Sequence, residues 1–431
     1  MVGKASLLLV MGFSLIFLVF GHRFNTMSNG AVDNFTNYYT DDIAHNLASS
    51  GANLAANAVF LNNNWVSGYS NLHMNGGIIN VSVQIIDATL NIRKIVSTGT
   101  YNGADRTVEV LLSPTKFSKF AYYSENEGNN IRWTNRDTVF GPFHTQDNLL
   151  TDNHPVFGVT GYRTTIKGKV VYADYYDVYG LADPKTTAQK NLYNQSKAND
   201  KPEFHGSFQD GVDEPLPNDG LDPLRNAAAA GGLVINKTSS YDTAYITFKV
   251  DSVKIKLGYK KPTVTYLTST AAPNGVIYAN GMDIRLKGTV QGQYSVVGDK
   301  NIYLDDDILY KTNPKLNPNS TDILGILAQS NILIKDDKHG NVNTKNIIID
   351  AAMYCQDGGF GAQNYDTRSI DGNINLLGGI TQNIRQAVGT YSGNTIKSGF
   401  NKLYRYDERL MKMYPPYFPS CGGFQIISWK E

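Results

Sequence analysis

The sequence predicts a mainly β protein carried on a long N-terminal α-helix, with a small α+β region after the helix and a C-terminal right-handed parallel β-helix. Three features predict it: an unbroken small and apolar run from Ala5 to Phe20, period-two alternation from Gly77 onward, and an asparagine-before-strand motif recurring between Asn301 and Leu376. A chain of 431 residues is too long for one compact core. It divides into 1–24, a membrane segment or a leader plus hydrophobic helix; 25–180, an amphipathic helix and sheet; 181–232, a loop-rich connection; and 233–431, the β-helix-like domain. Composition narrows function. With 39 basic against 38 acidic residues there is no global field to gather a phosphate backbone, so nucleic-acid binding is not expected. The two cysteines, Cys355 and Cys421, exclude a disulfide-dense scaffold and any cysteine-rich metal site, and leave open whether they pair.

Met1-Val2-Gly3-Lys4 precedes the apolar run and Gly21-His22-Arg23 follows it. The run is intermediate between a signal-peptide core and a full span of about 20 residues. No Ala-x-Ala site follows Arg23, and apolar residues continue at helical spacing through Phe35, Tyr39, Ile43, Leu47, Leu54, Ala58 and Leu61. Small residues in Ala48 to Ala52 and at Ala55 and Ala56 would let another helix approach closely. One helix is therefore expected from Ala5 to about Leu61, weakened near Asn25 to Gly30 and roughly 80 Å long.

This layout resembles a type IV pilin or minor pseudopilin N-terminus, in which a short basic leader ending in glycine is clipped and the hydrophobic helix is kept. The resemblance implies a cut between Gly3 and Lys4. It also implies an assembly helix presenting Leu8, Phe13 and Phe20 to the lipid bilayer and to other pilin-like subunits. Leu8 stands at the fifth mature position, where the family usually has glutamate. An ordinary signal peptide or a plain anchor accounts for the same hydropathy. Lys4 and Arg23 flank the run almost evenly. The N-terminus is expected inside and the bulk of the chain periplasmic or extracellular, in a bacterial cell envelope.

From Gly77 to Leu112 the alternation predicts strands with one buried face, and Asn102-Gly103 a tight hairpin. His144, Thr145 and Asp147 lie close together, but without any HExxH or Gly-x-Ser-x-Gly motif they read as a polar cluster closing a strand turn. Pro and Gly break the 181–232 segment, leaving a short helix from Pro223 to Ala230. Asp210, Asp213, Glu214, Asp219 and Asp222 lack the spacing of a calcium loop.

Beyond Leu233, Asn301, Asn331, Asn346 and Asn373 each precede an apolar strand, as in successive coils whose bend asparagines stack. An antiparallel sandwich with long loops is the competing architecture. The runs Pro273 to Tyr278, Gly359 to Ala362, Tyr404 to Asp407 and Pro415 to Pro419, with Gly141 to Thr145, resemble a bacterial exported family of unknown function with pilin-like N-termini. That resemblance implies a surface location and an architectural role, with no catalytic residue, cofactor or metal site. The alternative is an anchored extracellular carbohydrate-active β-helix enzyme, which needs convergent carboxylates. Asp305 to Asp307, Asp336 to His339 and Asp366 to Arg368 are the candidates, and Arg405 with Asp407 reads as a structural ion pair. The aromatic tail, Tyr404 to Trp429, is read as capping the last coil, or as a carbohydrate or partner platform. No enzymatic activity is expected, and carbohydrate binding has no motif behind it.

Overall fold

A computed structural model describes residues 2–88, 91–128, 131–135, 137–336, 346–392 and 395–431. A long N-terminal helix is followed by mostly β structure. The helix runs unbroken over Val2–Leu61 and is not weakened between Asn25 and Gly30. No proline interrupts it, and one interior glycine costs only about 1 kcal/mol relative to alanine. The chain forms two compact units, Met1–Pro114 with Gly422–Glu431, and Thr115–Cys421. The boundaries expected at 180/181 and 232/233 both fall inside the second unit.

In the first unit, strands Tyr69–Met74, Gly77–Asp87, Ile92–Tyr101 and Ala104–Lys116 form an antiparallel meander, and Ser420–Lys430 joins it beside Ala104–Lys116. Asn102 and Gly103 have φ of 45° and 81°, as the expected hairpin requires. Asn75 and Gly76, at 49° and 79°, make a second such turn that the sequence reading overlooks. The helix docks through Ala44, Leu47, Ala48, Ala52, Ala55 and Val59 onto Ile79, Val81, Ile95 and Val108. This corrects the expected stripe: Phe35, Tyr39, Leu54 and Leu61 are exposed, and Leu47 is its one fully buried member. The reason is close approach. A Cβ at Gly99 would stand 2.3 Å from the Ala44 carbonyl oxygen and 2.5 Å from the Ala48 nitrogen, so only small residues let sheet and helix backbones meet. The small residues read as a helix-facing surface thus face a sheet.

The second unit is organised by parallel pairing, and its longest row can be followed from end to end. In spatial order it runs Phe208–Gln209, Thr164–Ile166, Phe143–Thr145, Tyr122–Asn126, Ile370–Ile384, Asn346–Cys355, Ile323–Ala328, Gln293–Gly298, Val276–Asn280 and Leu233–Asn236. One line of register crosses it through Phe208, Thr164, Phe143, Tyr122, Ile380, Met353, Ile326, Val296, Ile277 and Leu233. Nearly every member is apolar because the strands from Thr164 to Ile277 bury this position in one core, while Phe208 and Leu233 at the two ends are partly exposed. The row starts in its middle: the chain winds outward from Tyr122 to Gln209, crosses to Leu233 at the far end, and winds back until Ile380 meets Tyr122. Strands of 115–180 therefore belong with those of 233–421, not with the helix-covered sheet.

The crossing is made by the segment read as a loop-rich connection, which is a strap bonded to the strands it passes. Tyr123 Oη donates to the Glu214 carbonyl at 2.8 Å, Gln356 Nε2 to the Pro217 carbonyl at 2.7 Å, and Arg225 Nη2 to Asp299 at 2.9 Å and Gln329 at 2.8 Å. Its helix, Asp222–Gly231, matches the short helix expected there; a second, Thr187–Asn199, is closed by a Thr186/Gln189 capping box that the sequence reading overlooks. The tail is a second strap. Ser295 Oγ donates to the Pro416 carbonyl at 2.6 Å, Phe418 meets Tyr354 edge-on at 6.0 Å, and Phe117 N donates to the Pro419 carbonyl at 3.0 Å. It caps no terminal coil, because the last strand of this unit, Thr395–Tyr406, lies beside Ile370–Ile384 in mid-row and bridges to Phe140 through Arg405.

Candidate functional site

On the N-terminal helix, Gly3 and Lys4 are exposed, and Leu8, Phe13 and Phe20 are 69, 54 and 69 % exposed. This helix is long and apolar enough to cross a membrane, with a mean hydropathy of 2.1 in its most apolar window. Its large apolar side chains stay uncovered beyond that window, at Phe24, Phe35, Tyr38 and Tyr39.

The carboxylates singled out in the sequence do not converge; most of those described are engaged in local bonds, and Asp366 is exposed. Asp305 is held by Arg285 Nε at 2.5 Å, Asp307 accepts from Ile348 N at 2.8 Å, and Asp336 accepts from Asn364 Nδ2 at 2.8 Å. Asp337, Lys338 and His339 lie outside the described residues. Arg368 pairs with Asp371 at 2.5 Å. Asp407 pairs with Arg409 at 2.6 Å and not with Arg405, because it caps the turn Glu408–Met411 that folds Arg409 back. In the strap, Asp213 meets Lys167 at 3.1 Å, Glu214 meets Lys119 at 2.9 Å and Asp222 meets Arg225 at 2.8 Å, while Asp210 and Asp219 are exposed. Among the described residues no three His, Cys, Asp or Glu side chains are grouped to hold a metal, and Cys355 and Cys421 are unpaired.

His144 is a core residue. Its Nδ1 lies 2.7 Å from Thr165 Oγ1 and its Nε2 3.3 Å from Gln146 Oε1, with the ring stacked on Tyr123. Burial lowers its pKa, favouring the neutral ring. Thr145 Oγ1 accepts from Asp147 N at 3.2 Å, and Asp147 Oδ1 from Asn148 N at 2.7 Å, so the neighbouring polar cluster closes a turn. Asn331 N donates to Asn301 Oδ1 at 3.2 Å and Gly359 N to Asn331 Oδ1 at 3.1 Å, forming a short asparagine stack. Asn373 N reaches Asn346 Oδ1 at 2.9 Å in a separate one.

The strongest concentration of buried charge lies where Ile370–Ile384 meets Tyr122–Asn126, and the sequence reading overlooks it. Arg385 Nη1 bonds Glu127 Oε2 at 2.9 Å, Lys402 Nζ bonds Asp137 Oδ1 at 2.7 Å, and Trp133 Nε1 donates to Glu127 Oε2 at 2.6 Å. The Arg385 guanidinium sits 4.0 Å from the Trp133 ring centre and Lys402 Nζ 5.5 Å from it. Burial opposes the charge on Arg385, but Tyr122, Glu127 and Asp137 outweigh it and raise its pKa. For Lys402 burial prevails over Asp137, and its pKa falls. A 400 Å³ cleft lies above, lined by Thr134, Asp137, Asp152, Tyr365, Arg385 and Lys402. Each cation is neutralised by its own carboxylate and clamped to one ring, an arrangement suited to cross-linking strands rather than to moving a proton. The partners are too far apart in sequence to leave a local motif.

No protein-family model matches the chain, and no curated protein matches it. Among solved structures, competence-associated pilin ComZ from Thermus thermophilus aligns over 91 % of this chain and 97 % of its own, at 14 % identity and a TM-score of 0.41, a likeness too remote to carry an argument.

Proposed function

We propose that this chain is a membrane-anchored, pilin-like structural protein of the bacterial cell envelope, of minor pilin or pseudopilin type and without catalytic activity. Its helix assembles with like helices, and the second unit, a right-handed parallel β-helix, is displayed for adhesion or partner contact. The observation that carries this reading is the uncovered apolar surface of the helix. Burying one such side chain is worth about 1.5–3 kcal/mol, and Leu7 to Phe20 leave every large apolar residue more than half exposed. Lipid satisfies the first part. The further exposed residues Phe24, Phe35, Tyr39 and Leu61, on the part of the helix beyond it, suit packing against other copies of the same helix. The β-helix reading is supported by parallel pairing between strands that are not successive in the chain. The non-enzymatic reading is supported by the pairing of Asp305, Asp307 and Asp336 in local bonds.

The test is the N-terminal sequence and intact mass of the protein from native membranes. A chain beginning at Lys4 is expected. A start beyond Arg23, or a retained Met1, would overturn pilin-type assembly, the first leaving a secreted domain and the second a simple anchor.

A further inference from the structure

The near-neutral total charge conceals a local segregation. Between Lys249 and Lys261 the chain carries Lys249, Lys254, Lys256, Lys260 and Lys261 against Asp251 alone. In the strand Ser252–Leu257, Val253 and Ile255 are buried, so Lys254 and Lys256 point outward together. Register extends the pattern to two neighbours: Thr247 lies between Lys254 and Lys287, and Tyr245 between Lys256 and Arg285. With strands about 4.8 Å apart and outward residues about 6.7 Å apart along each, the cations form a grid with spacings of about 7–10 Å.

A 350 Å³ cleft lies on this grid, with Tyr259, Asp305 and Lys335 also lining it. Asp305, the carboxylate among its lining residues, is already held by Arg285. Lys256 Nζ stands 4.8 Å from the Tyr245 ring centre and 5.0 Å from that of Tyr259, while Arg285 stands 5.3 Å from Tyr245. The rings thus fix Lys256 and Arg285 in place. Like charges this close on one face repel, and this repulsion is relieved when a regular array of anions lies across them.

We propose that this cleft binds a linear anionic polysaccharide, whose evenly spaced carboxylate or sulfate groups pair with Lys254, Lys256 and Lys287. Single-stranded nucleic acid fits less well, because its binding relies on successive open aromatic faces for the bases. Here the Tyr245 ring is occupied by two cations and the Arg285 fork by Asp305, and Tyr259, 76 % exposed beside Lys256, offers a single ring contact that suits a sugar rather than a run of bases. This inference does not depend on the fate of the N-terminus.

The test is fluorescence anisotropy of the full chain in neutral detergent with labelled dextran sulfate, neutral dextran and oligothymidylate. Saturable binding of dextran sulfate is expected, weakened about tenfold by physiological salt, with no binding of neutral dextran and weaker binding of oligothymidylate. The triple variant Lys254→Gln, Lys256→Gln, Lys287→Gln should lose at least about tenfold in affinity with an unchanged melting temperature. A control triple at exposed Lys190, Lys197 and Lys201 should not. Absent dextran sulfate binding, equal loss in both triples, or tighter binding of oligothymidylate would each overturn the proposal, the last in favour of a nucleic acid.

Discussion

Arg385 and Glu127 stand 258 residues apart in sequence and 2.9 Å apart in space. Their bond fastens the end of the strand Ile370–Ile384 to the segment that follows Tyr122–Asn126, where the two arms of the parallel row meet. Both side chains are buried, at 4 and 3 % exposure, so neither charge has water to fall back on if the other is removed.

Breaking that pair from one side should therefore cost more than removing it whole. Arg385→Gln is expected to destabilise by about 3–5 kcal/mol. Adding Glu127→Gln should recover part of the loss, although Trp133 Nε1 keeps an acceptor there. A double-mutant cycle by urea denaturation checks this, and strict additivity would contradict it.

Asp350 supplies a pH dependence. Burial pushes its carboxyl up to about 6, with Tyr310 N donating to it at 3.0 Å and the charges of Lys315, Asp407 and Arg409 nearby. A folded pKa above the ordinary carboxylate value means that the folded state binds the proton more tightly. This group's contribution to stability is thus greatest below about pH 4 and is lost as pH rises through about 6. Asp350→Asn keeps the acceptor for Tyr310 N and should stabilise by up to about 3 kcal/mol near neutral pH. Thermal melts across this range should show the gain vanish in acid; a constant gain would refute the assignment.

The helix and its sheet meet at backbone distance over Gly99. Gly99→Val should cost about 3 kcal/mol by forcing Ala44 and Ala48 away. Gly30→Ala, on the same helix with nothing within 4 Å of the new Cβ, should instead stabilise by about 1 kcal/mol. Chemical denaturation of the two variants compares them directly, and similar effects would mean that the contact is loose.

Asn331 Oδ1 accepts from Gly359 N, and its own N–H groups reach Asn301. Asn331→Leu should cost about 1–3 kcal/mol, because the buried backbone donor loses its partner. Amide hydrogen exchange at Gly359 should quicken; unchanged exchange would show that the stack carries no load.

The helix and the Asn102-Gly103 hairpin were legible because each is written in residues a few positions apart, and the asparagine stacking because each asparagine, though 27 or 30 residues from its partner, stands directly before its own apolar strand. Asn75-Gly76 was equally legible, since it carries the same turn dipeptide, and was passed over. Which helical face docks was misread for a physical reason. Hydrophobicity favours Phe35 and Leu54, whereas the contact with Gly99 rewards small side chains such as Ala44 and Ala48. The charged junction lay beyond any local pattern: Glu127, Trp133, Asp137, Arg385 and Lys402 are unremarkable until the Ile380 to Tyr122 register brings them together.

The mid-row start of the second unit has a consequence for the chain as it is made. Once Tyr122–Asn126 has emerged from the ribosome, the neighbour that pairs along one of its edges, Ile380 to Ile384, is still untranslated. At about 5–20 residues per second the gap lasts roughly 13–50 s. Through that interval an unpaired strand edge is open to mispairing. Vectorial growth from one end cannot complete this unit, so a chain crossing a membrane during synthesis would depend on a holding chaperone on the far side until its C-terminal strands arrive.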